Sequence, residues 1–117
     1  MNKKTKELLK SIHKILDDKK AIDITVLKLP SKTSITDYFI IASGTSEPHL
    51  RALRLALDSE LHKLKIKDLK VDYEPKSGWA IVDGFDFMVH LFLSDQRGNY
   101  SLEKLWNDAE RIDISKL

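Results

Sequence analysis

Hydrophobic residues recur at helical spacing in two stretches of the chain. In residues 4–19, Leu8, Ile12, Ile15 and Leu16 recur at intervals of about one turn, with lysines largely between them. The second stretch carries a longer stripe of leucines, all of which we expect to be buried: Leu50, Leu53, Leu57, Leu61 and Leu64. The pattern predicts two amphipathic helices, each covering an apolar surface.

The second helix also has a start signal. The turn Ser43-Gly44-Thr45-Ser46 precedes it, Ser46 is a good N-cap residue, and Pro48 falls in the first turn, where its missing N–H costs nothing. The same turn could in principle hold a phosphate at a helix N-terminus. It lacks the glycine density and the lysine of a P-loop, so a tight turn with a capping serine is favoured.

Five short apolar or β-branched runs predict strands. The second run has no polar alternation, which is typical of a central strand covered on both faces. The last two runs flank Asp83-Gly84-Phe85-Asp86, a strong hairpin signal. The predicted strands are residues 22–29, 38–42, 69–73, 79–82 and 87–93.

The remaining segments complete the predicted architecture. Residues 31–36 and 95–99 are predicted loops, residues 101–108 a short helix, and residues 112–117 a tail with no partner. Residues 38–73 read as a strand–helix–strand unit. The sequence therefore predicts one α/β domain over residues 1–117, with a mixed five-stranded sheet covered by helices.

Composition excludes several classes of protein. No cysteine is present, so disulfides and thiolate metal sites are excluded. No apolar run approaches the roughly 20 residues that span a membrane, and no secretory signal is recognisable. We expect a cytoplasmic protein with no membrane partner.

Charge gives little support for nucleic-acid binding. The net charge is +2, although residues 1–20 hold seven lysines against three acids. RNA binding would have to use scattered basic residues, and no RNP-like aromatic sheet or dense basic stripe accompanies them: Lys3, Lys4, Lys6, Arg51 and Arg54. We expect little direct contact with RNA.

Catalytic chemistry is also poorly supported by the residues. Two-metal phosphoryl transfer needs converging carboxylates, and Asp83 and Asp86 lie three apart across a turn instead of alternating on one strand. A triad of Ser46, His90 and Asp83 would lack a nucleophile elbow. The four histidines show no metal-ligand spacing. We therefore expect no metal, no cofactor and no reaction.

Aromatic residues near the C-terminus favour a protein interface instead. Tyr100, Glu103 and Trp106 follow one another at intervals of three, so they would share one face of the predicted short helix. An exposed aromatic face with a central acid has hot-spot composition. The residues alone favour protein interaction over catalysis.

Three linked motifs resemble the ribosomal silencing factor family (RsfS, iojap-like). They are TDYFIIASGTS at residues 36–46, W-x-I-x-D-x-x-D-x-x-V-H-x-F at residues 79–92, and R-x-x-Y-x-L-E-x-L-W-x-D-A at residues 97–109. The resemblance runs from about residue 5 to residue 109, in family order and spacing, and leaves residues 110–117 as a C-terminal tail.

The resemblance implies a fold and a function. The fold would be nucleotidyltransferase-like without the catalytic residues. The protein would bind the large ribosomal subunit through its fourteenth large-subunit protein, block joining with the small subunit and repress translation under nutrient limitation. It would catalyse no reaction, and it could form a homodimer away from the ribosome. The alternative is residual nucleotide binding or nucleotidyl transfer on the same fold.

The resemblance also implies a binding site. Asp37 matches the family and could order the turn before the central strand. The expected ribosomal-protein-binding residues are Trp79, Asp83, Asp86, His90, Arg97, Tyr100, Leu102, Glu103, Trp106 and Asp108. The sequence departs from the family pattern at Gly84-Phe85, Asn99 and Ser101.

Overall fold

Helices and strands follow one another in nearly the predicted order. The computed structural model describes residues 3–29, 37–66, 69–74, 78–84, 86–94 and 110–117. Within these residues the elements are α1 (Lys3–Asp18), β1 (Ile22–Lys28), β2 (Tyr38–Gly44), α2 (Glu47–Lys63), β3 (Lys70–Glu74), β4 (Trp79–Asp83), β5 (Phe87–Leu93) and β6 (Glu110–Arg111). The predicted loops 31–36 and 95–99 and the predicted helix 101–108 lie outside the described residues.

The strands form one mixed sheet in the order β3-β4-β5-β2-β1-β6. β2 runs parallel to β5, and the other neighbouring strands pair antiparallel. The prediction of five strands is wrong, because β6 adds a sixth strand beside β1. Two exposed charged residues, Glu110 and Arg111, carry no hydrophobic pattern that could have revealed this strand.

The central position of β2 is confirmed. Every residue of β2 is buried, and the strand pairs with β1 on one side and β5 on the other. The helix α2 then carries the chain from β2 to β3, as the strand–helix–strand pattern predicts. β3 does not lie beside β2, however, since β4 and β5 separate them. Local sequence patterns do not determine this order of strands in the sheet.

Both helices pack on one face of the sheet, and their buried residues form the main core. From α1, Leu9, Ile12 and Leu16 are buried. The predicted stripe of α2 is confirmed at four of its five leucines: Leu50, Leu53, Leu57 and Leu61. The prediction for Leu64 is wrong, since its side chain is 40% exposed. Leu64 is the C-cap residue, where the chain leaves the helical path.

The last residues of the chain are better anchored than the sequence suggests. The expectation that residues 112–117 lack a partner is wrong. Ile112 donates its N–H to the Val26 carbonyl at 2.8 Å, and both Ile112 and Ile114 pack against the main core. Asp113 caps the 3₁₀ turn Ile114–Lys116 by accepting from the Ser115 N–H at 3.0 Å. Hydrogen bonds from Ser115 lower the pKa of Asp113.

No helix among the described residues is both long and apolar enough to cross a membrane.

Candidate functional site

The β4–β5 hairpin, predicted from the sequence, brings several expected site residues onto one surface. Its register pairs Trp79 with Phe92, Ile81 with His90 and Asp83 with Met88. Side chains alternate between the two faces of a strand, and Ala80 and Val82 belong to the core beneath the helices. Trp79, Asp83 and His90 therefore share the opposite face of the sheet, which we call the distal face.

A second apolar cluster occupies the distal face. Trp79 and Met88 are partly buried and pack against it. Its buried members come from β2, β5 and the end of β1: Leu27, Leu29, Phe39, Ile41 and Phe92. Met88 was not among the expected site residues, although its position two residues before His90 on the same strand places it on the same face. The distal face thus holds a buried apolar cluster, with partly buried Trp79 and Met88 packed against it and Asp83 in register with Met88.

The His90 ring lies beside two members of this cluster, Phe39 and Phe92. Its ring is 4.4 Å from the Phe39 ring, centroid to centroid, and its Nε2 is 3.1 Å from the Met88 sulfur. The His90 Nδ1 atom is buried and has no hydrogen-bond partner in the part of the chain that the structure describes. Burial lowers the pKa of His90 from 6.5 to about 4. The imidazole is therefore neutral at pH 7 and contributes packing and a polar edge, not a positive charge.

The hairpin turn is tied to the start of the central strand. Gly84 donates its N–H to the Phe87 carbonyl at 2.9 Å, which closes the turn. The Asp86 carbonyl accepts from the N–H groups of Asp37 at 3.1 Å and Tyr38 at 3.2 Å. The side chains of Asp37 and Asp86 are exposed, so the backbone of these two residues holds the turn while their carboxylates face solvent.

Two glycines fix the ends of β4. Gly78 has φ +72°, in the left-handed region, and it accepts the Leu93 N–H at 2.9 Å just before Trp79. A Cβ atom on Gly84 would collide with the ring of Phe87, which is buried. A glycine at position 84, where this sequence departs from the family pattern, therefore lets the Phe87 ring lie against the turn.

The turn before α2 is a helix cap, as the sequence predicts. Ser46 accepts the His49 N–H at 3.2 Å, and His49 Nδ1 accepts the Thr45 N–H at 2.9 Å. His49 Nε2 lies 2.7 Å from the Lys19 carbonyl, which links the turn to the end of α1. These amides serve the cap and leave fewer donors for a phosphate.

The structure places two members of the triad, Ser46 and Asp83, far apart along the sheet. Asp83 on β4 pairs with Met88, near the start of β5. Gly44 on β2, two residues before Ser46, pairs with Leu93 at the end of β5. At the usual rise per residue, these two levels are roughly 17 Å apart. Across the described segments, no group of three or more histidines, aspartates or glutamates could hold a metal ion.

Six of the ten expected binding residues lie outside the described residues: Arg97, Tyr100, Leu102, Glu103, Trp106 and Asp108. Of the other four, Trp79, Asp83 and His90 share the distal face, and Asp86 lies in the adjoining turn.

Comparisons with known proteins agree with this architecture. A family model described as "Ribosomal silencing factor during starvation" matches residues 2–117. Ribosomal silencing factor RsfS of Bacillus subtilis is 34% identical over 109 residues, covering 93% of this chain and 92% of the relative. "Mitochondrial assembly of ribosomal large subunit protein 1" of Mus musculus is 37% identical over 95 residues, covering 79% of this chain and 42% of the relative.

Solved structures share the fold. A crystal structure of a protein from Bacillus halodurans superimposes with a TM-score of 0.78 at 30% identity, covering 92% of this chain and 97% of the other. A crystal structure from Chromobacterium violaceum gives a TM-score of 0.79 at 29% identity, covering 86% and 84%. With a family match over residues 2–117 and a Bacillus subtilis relative similar along 92% of its length, this protein belongs to the RsfS family of ribosomal silencing factors.

Proposed function

We propose that this protein binds the large ribosomal subunit through its fourteenth large-subunit protein and blocks joining with the small subunit. Translation would thereby be repressed when nutrients are limiting. The family match supports the ribosomal role, and the distal face is the structural observation that carries the proposal. There, Trp79 and Met88 are partly buried and Met88 pairs with Asp83 across the two strands, which suits an apolar contact rimmed by acid on a basic ribosomal protein.

The proposed contact residues have different roles. Trp79, Tyr100, Glu103 and Trp106 would form the main contacts, whereas Asp83, Asp86 and Arg97 would supply polar contacts or support. Nanomolar to micromolar binding requires about 8–12 kcal/mol, and one buried aromatic anchor can carry about 2–4 kcal/mol of it. We expect Trp106→Ala or Tyr100→Ala, in folded protein, to weaken binding at least about tenfold.

The proposed mechanism is steric occlusion, with no chemical step. The partly buried residues of the distal face, Trp79 and Met88, would help to attach the protein to the large subunit, and the rest of the domain would occupy space that the small subunit needs. His90 is neutral at pH 7, because burial lowers its pKa to about 4. In this mechanism it helps to shape the apolar surface and does not attract an acidic partner.

Two further features complete the proposal. The fold would be nucleotidyltransferase-like without catalytic residues, for which the strand, capped turn and helix of residues 38–63 give support. A homodimer would form away from the ribosome. Light scattering of the purified protein across a concentration series would test it, because a dimer raises the average mass as concentration rises.

Binding to separated subunits tests the central proposal. The purified protein should sediment with large subunits and not with small subunits. Trp79→Ala should weaken co-sedimentation, and Trp79→Phe should weaken it less, because an aromatic ring is kept. Asp83→Asn should also weaken co-sedimentation. Asp17→Asn, at an exposed position of α1, makes the same charge change and should have no effect. Equal binding by all four folded variants would place the interface elsewhere.

A further inference from the structure

A groove lies on the helix side of the sheet, between α2 and the strands β3 and β4. Its volume is about 580 Å³. Arg51, Arg54 and Leu55 line it from the helix, and Tyr73 lines it from β3. The Arg54 guanidinium lies over the Tyr73 ring, 4.2 Å from its centroid. Nevertheless, Tyr73 is 49% exposed and Leu55 is 48% exposed, so an aromatic and apolar surface remains open to solvent.

The charge of the groove favours an anionic ligand. Among the residues that the structure describes, two arginines line it, against one acid, Glu47. The salt bridges that the structure shows among its described residues join Lys14 to Asp18 and His62 to Asp58, and include neither arginine. Arg51 is exposed, and Arg54 contacts the face of a neutral ring. Both guanidinium groups therefore have N–H donors to offer to a phosphate.

The combination of groups is more specific than positive charge alone. Unpaired bases stack on aromatic rings and on the planes of arginine side chains, and guanidinium groups bind phosphate oxygens. An acidic peptide would use the arginines but would gain much less from the exposed ring of Tyr73. The stacked pair of Arg54 and Tyr73, beside Arg51, therefore matches a nucleotide better than a carboxylate.

We propose that this groove binds a single-stranded segment of ribosomal RNA, with a base stacked at the Arg54–Tyr73 pair and a phosphate on Arg51. The inference rests on the proposed function, because the large subunit would supply the RNA. Trp79, at the start of β4, lines the groove and also packs against the distal cluster. The sequence favoured little RNA contact, but the fold brings Tyr73 beside Arg54 and so creates a site that the scattered basic residues do not reveal.

Fluorescence anisotropy with a labelled single-stranded RNA of about ten nucleotides tests the groove directly. The wild-type protein should bind it more tightly than the same sequence in a duplex. Tyr73→Leu should weaken binding about tenfold, because the stacking surface is lost. Tyr73→Phe keeps the ring and should bind like the wild type. Tyr73 lies at the surface, and a thermal unfolding scan of each variant shows whether it is folded.

Salt dependence separates the roles of the arginines. Each phosphate contact on single-stranded nucleic acid contributes about −0.7 to the slope of log K against log salt concentration. Arg51→Gln should therefore weaken binding and make the slope shallower by about 0.7. Lys63→Gln removes one positive charge from the same helix, outside the groove lining, and should leave both affinity and slope nearly unchanged.

Three results would overturn the inference. The first is equal affinity of the wild type and Tyr73→Leu for the RNA, and the second is that Lys63→Gln weakens RNA binding as much as Arg51→Gln does. The third is that a free mononucleotide binds the groove as tightly as the RNA. The last result would assign the groove to a small nucleotide. Co-sedimentation of the wild type with large subunits separates this failure from that of the proposed function. If co-sedimentation persists while RNA binding is absent, only the groove assignment is wrong; if co-sedimentation is absent, the ribosomal role itself is wrong.

Discussion

The two faces of the sheet are both apolar, but they differ in the polar groups that they contain. Ile40 and Ile41 are neighbours on β2, are 0% and 1% exposed, and belong to different clusters. The cluster of Ile40, beneath the helices, is almost purely aliphatic and aromatic. The distal face of Ile41 includes the imidazole of His90, whose Nδ1 lacks a partner among the described residues, and the carboxylate of Asp83.

This difference separates stability from binding. A buried polar group without a hydrogen bond costs stability, so a sequence selected only for folding would place an apolar residue at position 90. Departures from good packing are expected where a surface serves a ligand or partner. We therefore expect changes in the buried core beneath the helices to alter stability, and changes on the distal face to alter binding as well.

The largest expected effect is the loss of a core side chain on the helix side. Leu53 is 0% exposed, so Leu53→Ala should lower the free energy of unfolding by about 2–5 kcal/mol. Urea unfolding followed by circular dichroism measures the loss. Leu55→Ala, the same substitution at a 48% exposed position of the same helix, should cost much less. Equal losses would contradict the assignment of Leu53 to the core.

The second effect is the pH dependence contributed by His90. Its folded pKa is about 4 and its ordinary value is 6.5, so between these values the unfolded chain binds a proton that the folded protein does not. The free energy of unfolding should therefore fall as pH drops from about 6.5 to about 4, by roughly 3 kcal/mol. Above pH 7 this contribution is constant.

Comparison with His90→Leu isolates this contribution. Carboxylates titrate in the same pH range in both proteins, so the difference between wild type and variant reports on His90. The stability difference in favour of the leucine variant should grow as pH falls. A difference that does not change with pH would show that the His90 imidazole titrates normally in the folded protein.

A smaller loss of stability is expected from a substitution just before β4. Gly78 has φ +72°, and an added Cβ would lie 2.6 Å from a Leu93 methyl carbon. Gly78→Ala should destabilise the protein by about 1–3 kcal/mol through backbone strain and this contact. Comparing Gly78→Ala in wild-type and Leu93→Ala backgrounds separates the two causes. The cost should be lower in the second background, and an unchanged cost would leave backbone strain as the sole cause.

The smallest effect concerns the cap of α2, remote from the distal face. Ser46→Ala removes the acceptor for the His49 N–H and should cost about 1 kcal/mol. Ser46→Asp keeps an acceptor and should retain most of that stability. Thermal unfolding of the three proteins provides the measurement, and large-subunit binding should not change. A loss of binding in folded Ser46→Ala would break the separation between stability and binding.

The sequence predicts the long periodic elements well, because each carries its own pattern. The stripes of α1 and α2, the apolar run of β2 and the turn between β4 and β5 are local signals. The two residues of β6 and the order of the strands depend on contacts between distant segments. For the same reason, alternation predicts that Trp79, Asp83 and His90 share a face, but no local signal places Tyr73 beside Arg54.

Subunit joining tests the central claim most directly. Purified large and small subunits are mixed under conditions that favour joining, with and without the protein, and are separated on a density gradient. The account predicts that the wild type sediments with the large subunit and lowers the joined peak, and that folded Trp79→Ala does so less effectively at the same concentration. A joined peak that does not change, with the wild-type protein remaining at the top of the gradient, would contradict the account.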